Sequence, residues 1–258
     1  MKYYLRYIKN YLRRFFYSSC SNTIGFLLRL FWNPSEKEPE FYLRKFLQKK
    51  SNVFFIQVGV NDGLINDPLI QLIRMYAWKG ILLEPQTFVF ETQLVPLHKK
   101  SKGIVTINAA IGNNDGKMPL YTFGFSNKRW ATGLASFERT TLENKINDGY
   151  VERMAKKFRD QLPPEKKDWI QSIPVSVLCF ETLIDQYNIQ SLDLLQIDTE
   201  GLDAKIIDWF PFHLLKPTVI SFEHENLLAS EKKSCYEKLE KQGYQLKILS
   251  RDTIAFIE

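Results

Sequence analysis

Between Val53 and Ile257 the chain alternates short apolar runs with stretches whose apolar residues recur every three or four positions. Residues 53–58 (VFFIQV) form a continuous apolar run, the pattern of a strand buried on both faces. Residues 64–76 have helical spacing, residues 80–84 (GILLE) read as a second buried strand, residues 88–97 as a helix and residues 103–107 as a third strand. Further along, the pattern predicts a strand over 193–197, a helix over 203–209, a strand over 218–223 and a helix over 231–242. Two closing strands, 245–249 and 253–257, are joined by Ser250-Arg251-Asp252 and predict an antiparallel hairpin. Alternation of this kind predicts an α/β fold, a mostly parallel sheet covered by helices on both faces.

Two segments stand apart from that rhythm. Residues 125–172 carry Trp130, Gly133, Phe137, many charges and Pro163-Pro164, with a helix predicted over 147–161. That length exceeds a plain connection and predicts an insertion, either a lid or a partner-binding element. At the other end, Tyr4, Leu5, Tyr7, Ile8, Tyr11, Leu12 and Phe15 fall on one side of a helical wheel, and Lys2, Arg6, Lys9 and Arg13 fall opposite. The apolar stretch 24–32 is too short to span a bilayer and is followed by no small-residue cleavage site. The pattern of residues 1–32 fits a helix on an anionic membrane surface, and equally a helix packed on the protein's own body. The expected organisation is a basic arm over 1–50 and a single domain over 51–258 with its insertion.

Charge sharpens this division. Of 258 residues, 35 are Lys or Arg and 29 are Asp or Glu. Residues 1–32 hold six of the bases and no acid, so the remaining chain is neutral, with 29 bases against 29 acids. A neutral body argues against general affinity for a nucleic-acid backbone. Cys20, Cys179 and Cys235 are odd in number and far apart, which argues against a disulfide framework and reads as ordinary buried thiols in a reducing, cytoplasmic compartment.

Candidate chemistry gathers where the predicted strands end, the edge at which open parallel sheets bind ligands. The first strand runs into Gly59-Val60-Asn61-Asp62-Gly63, a G-x-x-x-G turn. It is not the G-x-G-x-x-G of a dinucleotide fold, so a nicotinamide-dependent enzyme fits poorly. The second ends in Glu84, placed like an acid that accepts ribose hydroxyls; the alternative is a helix cap. The third runs into Asn108-Ala109-Ala110, small residues against which an adenine can lie while Asn108 holds a loop or ligand. The fourth ends in Asp198-Thr199-Glu200-Gly201 and the fifth in Glu223-His224-Glu225. Acids leaving buried strands are costly unless paired or used, and a histidine such as His224 is a candidate to take a proton near neutral pH.

These motifs in order, FFIQVGVNDG (54–63), ILLEP (81–85), INAAIG (107–112), LLQIDTEGLDAKII (194–207) and SFEH (221–224), resemble the FkbM family of S-adenosylmethionine-dependent methyltransferases. The resemblance covers roughly residues 50–257 and implies a class I Rossmann-like methyltransferase fold with a mostly parallel seven-stranded sheet and an antiparallel C-terminal strand. It implies O-methylation of a hydroxyl on a sugar, glycoconjugate or related natural product. S-adenosylmethionine would be held by Gly59, Asn61, Asp62, Gly63, Glu84, Asn108 and Ala109. Asp198, Glu200 and His224 are the candidates to orient or deprotonate the acceptor. Asp198 with Glu223 also suits Mg²⁺, although spacing does not demand a metal. Two departures stand out. Gln57 replaces the acid that often precedes the glycine loop, leaving Asp62 to supply a carboxylate, and Gln196 replaces a Lys before Asp198. The rival outside enzymology is a membrane-associated scaffold that keeps the fold without the activity.

Overall fold

In the computed structural model, residues 12–18 and 22–257 are described. The strands are β1 (Phe54–Val58), β2 (Lys79–Leu83), β3 (Ile104–Ile107), β4 (Ala110–Ile111), β5 (Gly116–Phe123), β6 (Ile170–Leu178), β7 (Leu194–Ile197), β8 (Val219–Glu223), β9 (Gln245–Ile248) and β10 (Asp252–Phe256). Seven of them form one sheet in the order β3-β2-β1-β7-β8-β10-β9. Neighbours from β3 to β8 are parallel, with Val58 beside both Leu83 and Ile197, and β10 runs antiparallel to β8 and β9. This is the class I Rossmann-like methyltransferase sheet, and its seven strands are those the apolar runs predict. Strand order reverses between β1 and β7, so the chain diverges above that pair and leaves a crevice there.

Successive side chains on a strand point to opposite faces, so each strand feeds two cores. Ile56, Val58, Leu83, Leu195, Ile197 and Phe222 pack on one side with the helices Phe180–Gln186, Asp203–Trp209 and Ala229–Lys241. Phe55, Leu82, Leu194, Val219 and Ile254 pack on the other with Pro39–Leu47 and Ile70–Tyr76. Double coverage is why the central strands are mostly apolar, and their polar members Gln57, Gln196 and Ser221 are buried with the rest.

Three predicted elements take a different form. The helix expected over 64–76 begins only at Ile70, because two Asp side chains hold the preceding residues in turns. Asp62 accepts from the N–H groups of Leu64 and Ile65, and Asp67 from those of Leu69 and Ile70. The helix over 88–97 passes through a π turn at Phe90–Leu94 before Val95–His98, where Pro96 lacks the N–H that an α-helix would bond to Thr92. The helix expected over 147–161 is confined to Tyr150–Phe158, and a helix that the pattern does not announce, Arg139–Asn147, precedes it, the two separated at Gly149 with φ +69°.

Those helices belong to a second layer. β4, β6 and β5 form a three-stranded sheet, and Phe123, Trp130, Leu142, Val151 and Trp169 build its own small core. Its long strands pair Pro119 with Pro174. Proline inside a run demotes a strand reading; here β5 is an edge strand and β4 pairs with β6 only at Val177 and Leu178, so neither proline has a second strand beside it.

The arm, where described, is docked. Tyr17 and Leu28 pack with Leu64, Ile70 and Leu97. Gly25 sits so close to the Arg74 carbonyl that a Cβ would approach it to 2.5 Å. Residues 1–11, which carry most of the amphipathic pattern, and Cys20 lie outside the described residues. Cys235 is buried as expected, whereas Cys179 is half-buried and accepts from the Thr182 N–H at the start of its helix.

Candidate active site

The site is assembled from the C-terminal ends of β1, β2, β7 and β8, roofed by residues 129–136 of the second layer. Gly59 (φ +81°) is dictated by the protein itself: a Cβ there would fall 1.9 Å from the Asp198 carbonyl oxygen. Gly63 (φ +65°) lies against Leu94 in the same way. The glycines therefore bring the loop onto neighbouring protein, and the backbone thus pulled in walls the crevice. Asn61, at φ +51°, is left-handed without being glycine, as is Glu200 at φ +53°. Both line the cavities described below, where such backbone is usually found.

Glu84 is buried, only 2% exposed. Its carboxylate accepts from the Asn61 N–H (2.7 Å), the Gln86 N–H (2.8 Å) and the Gln86 side-chain amide (3.1 Å). Burial outweighs those bonds and the Arg129 charge, and pushes its pKa up to about 7. The Asn61 and Gln86 amides also donate to the Thr132 carbonyl, at 2.9 and 3.0 Å. The second layer is thus fastened over the loop and the acid together. Asn108 donates to the carbonyls of Glu84 (2.8 Å) and Pro85 (3.2 Å) and accepts from Thr87, so it fastens the loop after β2. Ala109 is buried, and it is the next residues, Ala110 and Ile111, that line the crevice. Asp62 is occupied by its two backbone N–H groups and by Arg14 at 3.2 Å. Gln57, at the departure noted in the sequence, donates to Asp67 at 2.8 Å.

Beyond β7 and β8 lies a group of acids. Oxygens of Asp198, Glu200 and Glu223 lie within 4.8 Å of one another, a spacing that admits a divalent cation. In this structure Arg251 donates to Glu223 (2.6 Å) and to Glu225. The Asn226 amide bridges Glu200 and Glu223, at 3.0 Å to each. Burial raises the pKa of Asp198, of Glu200 to about 7 and of Asp203 to about 7, and mutual repulsion adds to the effect for Glu200 and Asp203. Glu223 is raised for the same two reasons. Asp203 holds the geometry, accepting from the N–H and hydroxyl of Thr199 and from the Glu223 N–H.

His224 is set apart from these acids. Its Nδ1 is 2.9 Å from the Thr253 hydroxyl, which Tyr236 also contacts at 2.9 Å, and it lines neither of the two cavities. Burial and the Lys232 charge lower its pKa.

Two cavities meet at this edge. A narrow crevice enclosing about 50 Å³ is walled by Gly59, Asn61, Glu84, Ala110, Ile111 and Phe137, among others. A broad cleft of about 1180 Å³ opens beside it, between Asp62 and Gln93 on one flank and Tyr150 and Phe158 on the other. Arg129, Gly133, Asp198 and Glu200 line both. Arg129 is the residue that sequence reasoning passed over. It lies 3.9 Å from Asp62, its charge stabilises the ionised forms of Glu84, Asp198 and Glu200, and its buried Nε has no hydrogen-bond partner among the described residues. Only the fold of the second layer carries it there.

A search of curated proteins finds no match. Among solved structures, the chain is similar to a precorrin-6y C5,15-methyltransferase from Geobacter metallireducens GS-15, at 11% identity over 89% of this chain and 96% of that one, TM-score 0.42. It is also similar to an O-methyltransferase from Bacillus cereus in complex with SAH, at 11% identity over 92% and 91%, TM-score 0.41. A third is a methyltransferase FkbM from Methylobacillus flagellatus KT, at 10% identity and TM-score 0.44; the match takes in 80% of this chain but 44% of that longer protein. Scores this low assign neither substrate nor mechanism. The family profile described as methyltransferase FkbM domain matches residues 57–246, a stretch holding every strand end described above, and the chain belongs to that family of S-adenosylmethionine-dependent methyltransferases.

Proposed function

We propose that this chain methylates a hydroxyl of a small-molecule or glycan acceptor, a sugar, glycoconjugate or related natural product, with the donor running from the crevice into the adjoining cleft and the acceptor in the cleft beyond it. The observation that carries the reading is the junction, where two carboxylates, Asp198 and Glu200, line both cavities.

The crevice of about 50 Å³ holds only part of a donor, which would extend through the junction at Arg129, Gly133, Asp198 and Glu200 into the cleft, and the residues along that path offer the contacts it needs. Glu84 offers acceptor oxygens to a ribose diol, and Ala110, Ile111, Leu120 and Phe137 offer apolar walls to an adenine. The buried Nε of Arg129, which has no hydrogen-bond partner among the described residues, offers a donor to the methionine carboxylate, with the Gly59–Gly63 backbone alongside. S-adenosylmethionine supplies an already activated methyl on a sulfonium sulfur. What remains for the protein is to orient the acceptor and take its proton. Glu200, at about 7, is poised to accept a proton near neutral pH, and Asn226 fixes one of its oxygens at 3.0 Å. Asp198 stands beside it with no hydrogen bond to its carboxylate among the described residues, which suits a group that meets the acceptor. Glu223, tied to Arg251, holds the floor of the cleft.

Calorimetric titration with S-adenosylmethionine and turnover on a panel of sugar and glycoconjugate hydroxyls test the reading. Asp198→Asn is expected to cut turnover about 100-fold or more while donor affinity changes less than about threefold, the split of a group acting in the transition state. Donor binding without transfer to any hydroxyl, or transfer undiminished in Asp198→Asn, refutes it.

A further inference from the structure

Half of the large apolar side chains left exposed among the described residues lie between positions 12 and 31. They are ordered by the helices that carry them. On residues 12–18, Leu12 (46% exposed) and Phe15 (65%) share one face, while Arg14 and Tyr17 turn toward the body. On Asn22–Phe31, Phe26 (59%), Leu27 (47%), Leu30 (60%) and Phe31 (79%) share one face, while Gly25, Leu28 and Arg29 turn inward. Arg29 donates to the Met75 carbonyl and lies over the Tyr76 ring. Folding therefore does not use this apolar surface. The opposite faces make the tertiary contacts, and the outward faces meet solvent.

We infer that the outward faces of residues 12–18 and 22–31 form an interfacial lipid-binding surface selective for anionic bilayers. Charge decides the occupant. Residues 1–32 carry six bases and no acid while the rest of the chain is neutral. Two copies meeting face to face would bring two such arms together and repel, whereas an anionic headgroup layer attracts both. An aromatic and aliphatic face on a basic segment lies in the interface plane, which requires no spanning segment; Arg14 and Arg29 are held by the body, and Lys2, Arg6 and Lys9 precede the described residues. Among the described residues no helix is long and apolar enough to cross a membrane. Arg14 lines the broad cleft and pairs with Asp62, so the lipid-facing arm also forms part of the cleft wall. If the cleft takes the acceptor as proposed above, its mouth opens beside the headgroups, where lipid-linked acceptors reside.

The test is flotation of the full chain with phosphatidylcholine vesicles, with and without about 30% phosphatidylserine. The chain is expected to float with the anionic vesicles and to lose about tenfold or more of its partitioning in Phe26→Ser/Phe31→Ser and, independently, in Leu27→Ser/Leu30→Ser. All four side chains are exposed, and near-ultraviolet circular dichroism together with S-adenosylmethionine affinity reports that the body is unchanged. Neutral vesicles are expected to bind at least tenfold more weakly. Absence of flotation, equal binding to both vesicle types, or partitioning unaltered by either pair overturns the inference. So does a dimer in sedimentation that the same substitutions dissociate, which would mean a second copy covers the face. No readout depends on methyl transfer, so failure here leaves the activity question intact.

Discussion

Glu84 connects donor binding to folding stability with opposite signs, and the connection can be measured. Its pKa rises from the ordinary 4.5 to about 7 because the carboxylate is buried under the second layer. Between those values the folded protein holds a proton that the unfolded chain releases, so Glu84 weakens the fold progressively as pH rises from about 4.5 to 7. At about 1.4 kcal/mol per pH unit the full effect is on the order of 3 kcal/mol. Other buried acids push the same way, among them Asp67 and Asp252, each at about 6. The contribution of Glu84 is therefore read as the difference between the native protein and Glu84→Gln. Urea unfolding followed by tryptophan fluorescence from pH 5 to 8 should show the variant gaining about 2.5 kcal/mol on the native protein across that range. Donor affinity should run the other way. A ribose diol donates two hydrogen bonds and prefers the ionised acceptor, so native affinity should climb through pH 7. The variant should bind about tenfold or more weakly at pH 8 and show little pH dependence. If the unfolding difference is flat with pH, Glu84 does not titrate in this window. If the variant binds donor as well as the native protein, Glu84 does not hold the ribose.

Further expectations follow from the same geometry. Gly59→Ala should lower stability by about 3 kcal/mol or more in denaturant unfolding and abolish donor binding, since the added methyl would fall 1.9 Å from the Asp198 carbonyl oxygen. Arg129→Ala should weaken donor binding about 10- to 100-fold by calorimetry, with Arg129→Lys in between. Turnover at saturating donor should rise with pH through about 7, as Glu200 loses its proton, and Glu200→Gln should flatten that profile. Chelation with EDTA should leave turnover within about twofold, because Arg251 already neutralises Glu223; a tenfold loss restored by Mg²⁺ would show that the acid group takes a cation instead.

How much of this was legible in the chain differs between the two layers. The central strands of the main sheet could be read from apolar runs, because burial on both faces leaves few positions polar, whereas the edge strand β9 is largely exposed. The turns and acids at their ends could be read for a related reason: polar residues and glycines directly after a buried strand mark the edge at which chemistry collects. The second sheet could not. β5 is exposed over Gly116–Pro119 and both long strands contain proline, so neither run nor alternation announces them.

What the sequence determined by itself was the architecture and the set of acids, since periodicity and burial are local signals. What only the tertiary structure decided was which of them act together. Arg129 stands 67 residues beyond Asp62 in the chain yet 3.9 Å from it in space, and His224 stands next to Glu223 in the chain yet turns to Thr253 instead. Thr132, 71 residues from Asn61, closes the loop over Glu84. Contacts of that range depend on how one layer settles on another, through packing shape and a few hydrogen bonds, and no pattern within a single segment records them.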